Sequence, residues 1–190
     1  MARRGPKASA GKVRIVAGKW RRRLLPVLPV QDLRPSPDRI RETLFNWLGA
    51  DIRHASCLDL FAGTGCLGFE AASRGAEKVV LVEQNRTLYR SLADTQQELA
   101  ADCVQVVHAD AMTWLGQQAD PFDVVFLDPP FQGGLLEQAM AMREANGLTR
   151  PGGWAYLESG TEIDAGSLPS GWALKRAGKA GQVRYYLAST

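Results

Sequence analysis

Short apolar runs alternate with amphipathic stretches over most of this chain. Five runs rich in valine, leucine and other large apolar residues have the length and near-continuous apolar character of strands buried on both faces. These predicted strands are residues 57–61, 79–83, 104–108, 124–128 and 153–158. Apolar residues recur at helical spacing in residues 67–74, 87–100, 111–118 and 134–146. This alternation predicts a doubly wound α/β fold around a mostly parallel sheet.

The C-terminal region departs from this alternation. Residues 172–177 and 183–188 are apolar stretches that flank Gly178 and Gly181. Because no helical pattern separates them, they predict an antiparallel hairpin that closes one edge of the sheet.

The N-terminal region is too short and irregular for a domain of its own. Residues 12–15 and 24–30 are short apolar stretches, and the prolines in the second stretch limit them to an edge strand or a small hairpin. We therefore divide the chain into three parts. They are a disordered basic tail (1–11), a basic extension or hairpin (12–33), and the α/β domain (34–190).

A helix is predicted to begin at residues 36–38. Ser36 suits the N-cap, Pro37 the first helical position, and Asp38 the positive end of the helix dipole. Apolar residues then form one face of this helix: Ile40, Leu44, Trp47 and Leu48. Polar residues form the opposite face: Arg39, Glu42, Thr43 and Asn46.

Length and composition exclude several classes of protein. A chain of 190 residues with 45% hydrophobic and 23% charged residues has ordinary globular composition, which excludes wholesale disorder. No apolar run approaches the ~18–20 residues of a membrane span, and the basic N-terminus lacks the apolar stretch of a secretory signal. Three cysteines at unrelated spacing predict neither disulfides nor a zinc site, so we expect a cytoplasmic protein.

The net charge of +3 is unevenly distributed. Residues 1–30 contain nine lysines and arginines and no acid, so the remaining residues have a net charge of −6. A basic arm on an acidic body indicates a polyanionic partner such as nucleic acid. A solvated tail that only improves solubility would explain the same charge.

A glycine-rich loop follows the first strand of the predicted sheet. Gly63, Gly65 and Gly68 match the pattern G-x-G-x-x-G between a strand and a helix, where a nucleotide-containing cofactor binds. Glu83 follows Gly63 by 20 residues and ends the next strand, where an acid can accept hydrogen bonds from ribose hydroxyls. A tight turn with an incidental acid is the structural alternative.

Two further acids favour S-adenosylmethionine over a dinucleotide. Asp59 lies inside the first strand of the sheet, where its carboxylate can bind the α-ammonium of the methionine moiety. A dinucleotide offers no cation there to compensate for burying the charge. Asp110 follows the third strand and can accept a hydrogen bond from the adenine amine. It also suits the N-cap of the next helix, which is compatible with that role.

The sequence Asp128-Pro129-Pro130-Phe131 ends the fourth strand of the sheet. Two prolines cannot continue a ladder, and ligands bind at the carboxyl ends of strands in open α/β sheets. Asp128 and the Pro129 carbonyl can accept the two N–H bonds of an exocyclic base amine, and Phe131 can stack on the base. These roles predict methylation of such an amine. A strand-terminating turn with Phe131 in the core is the alternative.

Other chemistries have little support in the sequence. His54 and His108 have no nearby cysteine or serine partner and are predicted to be structural. Carbon-5 methylation of a base requires a nucleophilic cysteine, and none of the three cysteines is near Asp128 in the sequence. We predict no metal.

The order of these motifs resembles the class I S-adenosylmethionine-dependent amino-methyltransferases. Two segments resemble the RsmD family more closely: Arg-Ile-Val-Ala-Gly-Lys-Trp-Arg (14–21) and Arg-Pro-Ser-Pro-Asp-Arg-Ile-Arg-Glu-Thr-Leu-Phe-Asn-Trp-Leu (34–48). The resemblance covers residues 12–188. Ala17 departs from the glycine expected there, but it lies outside the cofactor motifs.

This resemblance implies methyl transfer from S-adenosyl-L-methionine, with S-adenosyl-L-homocysteine as product, to N2 of one guanine in bacterial 16S rRNA. The expected substrate is the small ribosomal subunit or an assembly intermediate, and the expected protein is a monomer. The resemblance also implies a seven-stranded sheet and places residues 34–48 beside the cofactor and substrate pocket. The target base would have to be flipped out of its stack to reach Asp128.

The resulting site predictions fall into three groups. Catalytic residues are Asp128, Pro129, Pro130 and Phe131. Cofactor-binding residues are Asp59, Phe61, Ala62, Gly63, Gly65, Glu83, Gln84, Asp110, Ala111 and Asp128. RNA-binding residues are Arg14, Lys19, Trp20, Arg21, Arg22, Arg23, Arg34 and Arg39, with Trp20 either stacking on RNA or anchoring the arm to the body.

Three alternatives remain open at this stage. The acceptor could be the N6 amine of adenine or another exocyclic amine of a nucleic acid, or the amide of a protein. The glycine loop alone is compatible with a nicotinamide oxidoreductase, which would leave residues 128–131 unexplained. A non-catalytic RNA-binding assembly factor would bind RNA without any methyl transfer.

Overall fold

We analysed a computed structural model that describes residues 11–30, 33, 35–117, 120–131 and 133–190, apart from the side chains of 143–146. Residues 1–10 of the predicted disordered tail, and Arg34 of the predicted RNA-binding set, lie outside the described residues. None of the helices in the described part is long and apolar enough to cross a membrane.

Nine strands and five α-helices form within the described residues. The strands are β1 (Gly11–Arg14), β2 (Leu24–Val27), β3 (Ser56–Asp59), β4 (Lys78–Glu83), β5 (Val104–His108), β6 (Phe122–Leu127), β7 (Thr149–Ser159), β8 (Ala173–Ala180) and β9 (Val183–Ser189). The helices are α1 (Asp38–Leu48), α2 (Cys66–Ser73), α3 (Arg86–Glu98), α4 (Ala111–Leu115) and α5 (Leu135–Asn146). α4 is shorter than predicted because it ends at Gly116, whose N–H bonds to the Met112 carbonyl.

Seven strands form one sheet in the order β5-β4-β3-β6-β7-β9-β8. β3 to β7 are parallel, whereas β9 is antiparallel to both β7 and β8. The predicted doubly wound sheet with an antiparallel C-terminal hairpin is therefore confirmed. Successive strands are added on one side of β3 as far as β5, and from β6 onward on its other side. In open α/β sheets a ligand binds in the crevice at the carboxyl ends of the strands where the order reverses in this way.

Two hydrophobic layers cover the faces of the sheet. One layer contains the apolar faces of α1, α2 and α3, and the other contains those of α4 and α5. β1 and β2 pair antiparallel as a small hairpin, from Gly11 opposite Val27 to Arg14 opposite Leu24, as the sequence predicts. Apolar side chains of this hairpin and its turn, Val13, Ile15, Trp20 and Leu25, belong to the first layer.

Candidate functional site

The glycine loop between β3 and α2 needs glycine for two different reasons. Gly63 and Gly65 have φ values of 55° and 74°, a left-handed conformation that other residues rarely adopt. A Cβ atom on Gly68 would lie 2.1 Å from Leu81 Cδ2 of β4. The loop therefore turns sharply at its start, and Gly68 then allows α2 to pack closely on the sheet.

Glu83 is held against this loop by backbone N–H groups. Its two carboxylate oxygens accept hydrogen bonds from Gly63 N at 2.9 Å and Asn85 N at 2.6 Å. Burial of the carboxyl raises its pKa, while these hydrogen bonds act in the opposite direction. The group is thus fixed at the end of β4 beside the loop, where the sequence predicts a ribose contact.

Asp59 is buried at the end of β3, where its carboxyl accepts a hydrogen bond from the backbone of α2. Gly68 N donates to its Oδ2 at 3.0 Å, and the residue is 2% exposed. Burial, together with the negative charges of Glu83 and Glu158, raises its pKa to about 7. In the described part of the chain, no lysine or arginine forms an ion pair with Asp59. A buried carboxylate of this kind suits a cationic ligand group.

Asp110 caps α4, as its alternative role predicts. Its Oδ1 accepts from both the N–H and the hydroxyl of Thr113 at 2.9 Å, which lowers its pKa. The nearby His108 ring stacks on Tyr89, with 5.0 Å between centroids, and its Nε2 lies 3.1 Å from the Gln84 carbonyl oxygen. His108 therefore has structural contacts at the end of β5, beside the acids of β3 and β4.

Asp128 shares the hydroxyl of Ser36 with a second carboxyl group, that of Glu158. Ser36 Oγ lies 3.1 Å from Asp128 Oδ2 and 2.7 Å from Glu158 Oε1, and Tyr156 donates to the same Glu158 oxygen at 2.6 Å. Burial, followed by the charge of Glu158, raises the pKa of Asp128 well above its usual value. Burial also raises the pKa of Glu158.

The predicted N-cap role of Ser36 is wrong. Pro37 occupies the cap position of α1, and no side chain caps this helix. Ser36 is 3% exposed, and its hydroxyl bonds to the carboxyl groups of Asp128 and Glu158 instead of to the helix N–H groups. The segment before α1 thus contacts Asp128 directly, as the resemblance implies for residues 34–48.

The end of β6 leaves Phe131 in solvent. The last paired residues of β6 and β7 are Leu127 and Leu157, so the two prolines lie beyond the ladder. Phe131 is 54% exposed, and a Cβ atom on Gly160 would lie 3.4 Å from its ring. The ring is therefore not a core residue. It borders a groove of about 130 Å³ that also includes Pro129, Pro130 and Glu158.

The N-terminal arm, residues 11–30, is fixed to α2 by polar contacts. Glu70 accepts hydrogen bonds from the N–H groups of Val16 and Ala17 at 2.7 and 3.0 Å. Ser73, three residues later at the end of the helix, bonds to the backbone of residues 17, 19 and 20. Ala17, the departure from the family pattern, makes these contacts through its backbone alone.

Trp20 anchors the arm to the body. It is 7% exposed within the first hydrophobic layer, and the Lys19 ammonium lies 5.3 Å from its ring centroid. A ring with so little exposed surface favours the anchoring role over stacking on a base.

The cations of the arm lie in two places. Lys12 and Arg14 lie near the start of α1, where Arg14 pairs with Asp38 at 2.7 Å. The exposed Lys19, Arg21 and Arg22 lie beside Ser73, at the far end of α2. Arg23 and Arg39 are also exposed.

Several residues of this site escaped the sequence analysis. Arg41 is fully buried in α1 and bonds to Asp38, Glu70, the Ser36 carbonyl and the Arg14 carbonyl. Its position one helical turn before the apolar Leu44 and Phe45 could have indicated that it lies on the buried face of the helix. Glu158 and Tyr156 could have been noticed because they are polar groups near the end of an otherwise apolar strand.

The fold and the site together define a Rossmann-like methyltransferase. The chain belongs to the family described as conserved hypothetical protein 95, whose model matches residues 13–189. Its relatives confirm the resemblance to the RsmD family. Ribosomal RNA small subunit methyltransferase D of Escherichia coli K12 is 44% identical over 180 residues, which cover 95% of this chain and 91% of the relative.

Two further matches agree with this family. The protein of the same name from Haemophilus influenzae is 44% identical over 182 residues, 93% of each chain. The structure of a putative methyltransferase, yhhF, from Escherichia coli has a TM-score of 0.85 and 43% sequence identity, and the match covers 94% of this chain and 98% of that chain.

Proposed function

We propose that this protein transfers a methyl group from S-adenosyl-L-methionine to the exocyclic N2 of a guanine in bacterial 16S rRNA, leaving S-adenosyl-L-homocysteine. The observation that carries the proposal is the half-buried Asp128 carboxyl, followed by a free strand end and the exposed ring of Phe131. The names of the relatives support the choice of substrate, because they describe methylation of small-subunit rRNA.

The residues at the ends of β3 and β4 fit S-adenosylmethionine. The buried Asp59 has no cation of its own among the described residues and would bind the α-ammonium, while the fixed Glu83 would accept from the ribose hydroxyls. The backbone of the glycine loop and Asp110 would complete the site. The remaining predicted contacts are Phe61, Ala62, Gln84 and Ala111. When bound, this cofactor supplies an electrophilic methyl group on a sulfonium, so no metal or covalent nucleophile is required.

Asp128 and Pro129 would hold the amine of the target base. The lone pair of an exocyclic amine is delocalised into the ring, which makes the nitrogen a poor nucleophile. The Asp128 carboxyl and the Pro129 carbonyl would each accept a hydrogen bond from one N–H of the amine. These two hydrogen bonds would pull the nitrogen toward tetrahedral geometry. Phe131 would stack on the base, worth about 1–3 kcal/mol. Most of the catalytic gain is then the positioning of two reactants.

The arm would bind the RNA backbone on the way to this site. Its cations Lys19, Arg21, Arg22, Arg23 and Arg14, with Arg39 of α1, are exposed and would bind phosphates of the RNA backbone. Affinity for RNA should therefore fall steeply with salt. We expect the substrate to be the small ribosomal subunit or an assembly intermediate, and the enzyme to be a cytoplasmic monomer.

Nucleoside analysis tests this function. Wild-type protein is incubated with labelled S-adenosylmethionine and either 16S rRNA or small subunits from cells that lack the enzyme, and the digested RNA is examined by mass spectrometry. We expect N2-methylguanosine at one position. Asp128→Ala, which removes the acceptor oxygen, should abolish transfer, whereas Asp94→Ala, at an exposed acid of α3, should not alter it.

Other products would contradict the proposal in different ways. N6-methyladenosine would show that the enzyme acts on another exocyclic amine. RNA binding without any methyl transfer would indicate an assembly factor instead. Full transfer by Asp128→Ala would exclude the mechanism, even if N2-methylguanosine is the product.

A further inference from the structure

Two large apolar side chains stand out among the described residues because more than half of their surface is exposed: Leu24 at 55% and Phe131 at 54%. Phe131 borders the groove that contains Glu158. Leu24 borders a second groove, of about 330 Å³, between the arm and the start of α1. Ser36 lines that second groove and bonds to both Asp128 and Glu158, so the two apolar side chains flank the candidate catalytic carboxyl.

The exposure of Leu24 has no explanation in the fold. Its neighbour Leu25 is 1% exposed and faces the core, so the alternation of β2 directs Leu24 to solvent. The hairpin backbone beside it is firmly held, with Ile15 N bonded to Arg23 O at 2.9 Å and Arg22 N bonded to Ile15 O at 2.8 Å. Leu24 is thus an apolar group on a rigid support.

Exposed cations surround this side chain. Arg14 is its cross-strand partner, Arg23 precedes it in the chain, and Lys12 lines the same groove. Arg14 pairs with Asp38 but remains 62% exposed. An apolar tip among positive charges is complementary to nucleic acid, in which apolar bases lie between phosphates. Proteins that distort nucleic acids insert leucine and similar side chains between stacked bases.

We propose that Leu24 enters the base stack of the RNA at the place left by the flipped target guanine, while Phe131 stacks on the extruded base. This inference rests on the proposed function and extends it. It makes Leu24 a positioning residue, which assists extrusion of the base and takes no part in methyl transfer. Unstacking a base costs energy that a damaged or single-stranded base does not require. The contribution of Leu24 should therefore depend on whether the target guanine is stacked.

Two RNA substrates and two variants test this role. One RNA places the target guanine within a stacked stem, and the other is a short unpaired RNA with the same guanine. Leu24→Ala should lower kcat/KM by at least about 10-fold on the stacked RNA, the scale expected for a lost contribution to extrusion, and by less than about twofold on the unpaired RNA. Leu24→Met, which keeps the apolar volume, should remain close to wild type on both.

A fluorescent base provides a measurement that does not depend on methyl transfer. With 2-aminopurine next to the target guanine in the stacked RNA, wild-type protein should increase the fluorescence because the neighbouring base unstacks, and Leu24→Ala should not. Thermal melting of each variant establishes that it is folded. If Leu24→Ala is not folded, Leu24→Gln replaces it in both measurements.

The failures of the two proposals differ. Equal losses of kcat/KM on both RNAs, or no loss on either, would exclude the insertion of Leu24 into the base stack. Neither result would contradict the proposed methyl transfer. An unchanged fluorescence increase with Leu24→Ala would exclude it as well. Absence of methylation of either RNA and of small subunits by the wild-type protein would instead overturn the proposed function.

Discussion

The Arg41 guanidinium and the Glu70 carboxylate form an ion pair in which neither side chain is exposed, with 3.3 Å between Nη1 and Oε2. The pair joins α1 to α2. Glu70 also accepts hydrogen bonds from the N–H groups of Val16 and Ala17 in the arm. It accepts a further hydrogen bond from Arg74, one helical turn later. One buried carboxylate therefore holds together the arm, the segment that contacts Asp128, and the helix of the glycine loop.

Replacing Arg41 by methionine should destabilise the protein strongly. The substitution leaves Glu70 and Asp38 without their buried partner, and breaking a buried pair from one side costs about 3–5 kcal/mol. Arg74 still compensates Glu70, so we expect the lower end of this range in denaturant unfolding. Arg39→Met, on the exposed face of the same helix, should change the free energy of unfolding by less than about 0.5 kcal/mol. Similar stabilities of the two variants would contradict a central role for the pair.

Gly18→Ala should detach the arm from α2. Gly18 has a φ of 85°, and a Cβ atom there would lie 1.8 Å from the Ser73 carbonyl oxygen, so any side chain clashes with backbone. Trypsin should then cleave faster after Lys19 and Arg21, and RNA affinity should fall. Gly166→Ala, in the short 3-10 helix Ala165–Ser167, is the matched control, because a Cβ atom there would only come within 3.5 Å of Asp164 Oδ2. Wild-type cleavage rates in Gly18→Ala would mean that the arm docks in another way.

Asp59→Asn should stabilise the ligand-free protein at alkaline pH but not at acid pH. The folded state holds the Asp59 pKa near 7, above its ordinary value of 3.8, so folding disfavours the ionised form. From about pH 4 to pH 7 the unfolded chain loses this proton before the folded chain does, and the stability of the wild type therefore falls over that range.

The variant avoids this cost, because asparagine still accepts from Gly68 N and has no charge. At pH 8 the gain should be about 3–5 kcal/mol, and at pH 4 the two proteins should unfold alike. Asp94→Asn is the exposed control. Binding of S-adenosylmethionine, measured by calorimetry, should weaken in Asp59→Asn. A constant difference in melting temperature between pH 4 and pH 8 would contradict the assigned pKa.

Glu158→Gln should lower the pKa of Asp128. Burial is the main reason that the Asp128 pKa is raised, and the charge of Glu158 is the next. Glutamine removes the charge while keeping an oxygen for Ser36 and Tyr156. Infrared spectra of the ligand-free protein should show a buried protonated carboxyl that persists to higher pH in the wild type than in Glu158→Gln. The exposed Glu98→Gln of α3 should leave the titration unchanged, and an unchanged titration in Glu158→Gln would show that the two carboxyls are not coupled.

The parts of the site that follow strand ends could be predicted from the sequence. Parallel strands bring their carboxyl ends to one edge, so a strand pattern followed by an acid was enough to bring Asp59, Glu83 and Asp128 together. The glycine loop was predictable for the same reason, since each glycine answers a local requirement of the turn or of helix packing.

Contacts between distant segments could not be predicted in this way. Ser36 has the sequence context of an N-cap, and only the packing of α1 against β6 and β7 brings its hydroxyl to Asp128 and Glu158. Arg41 was not predicted as a structural residue, because its buried partner is 29 residues away. Trp20 was ambiguous because burial depends on α2, which follows it by more than 40 residues.

The arm shares its interior with the enzyme body, and this has a consequence for dissecting the protein. Val13, Ile15, Trp20 and Leu25 lie in the same hydrophobic layer as α1 and α2. Deleting residues 1–30 would therefore uncover apolar surface on the catalytic body and give an aggregation-prone fragment. Truncation therefore cannot test the RNA-binding role proposed for the arm, and charge reversal at its exposed positions is the way to test it.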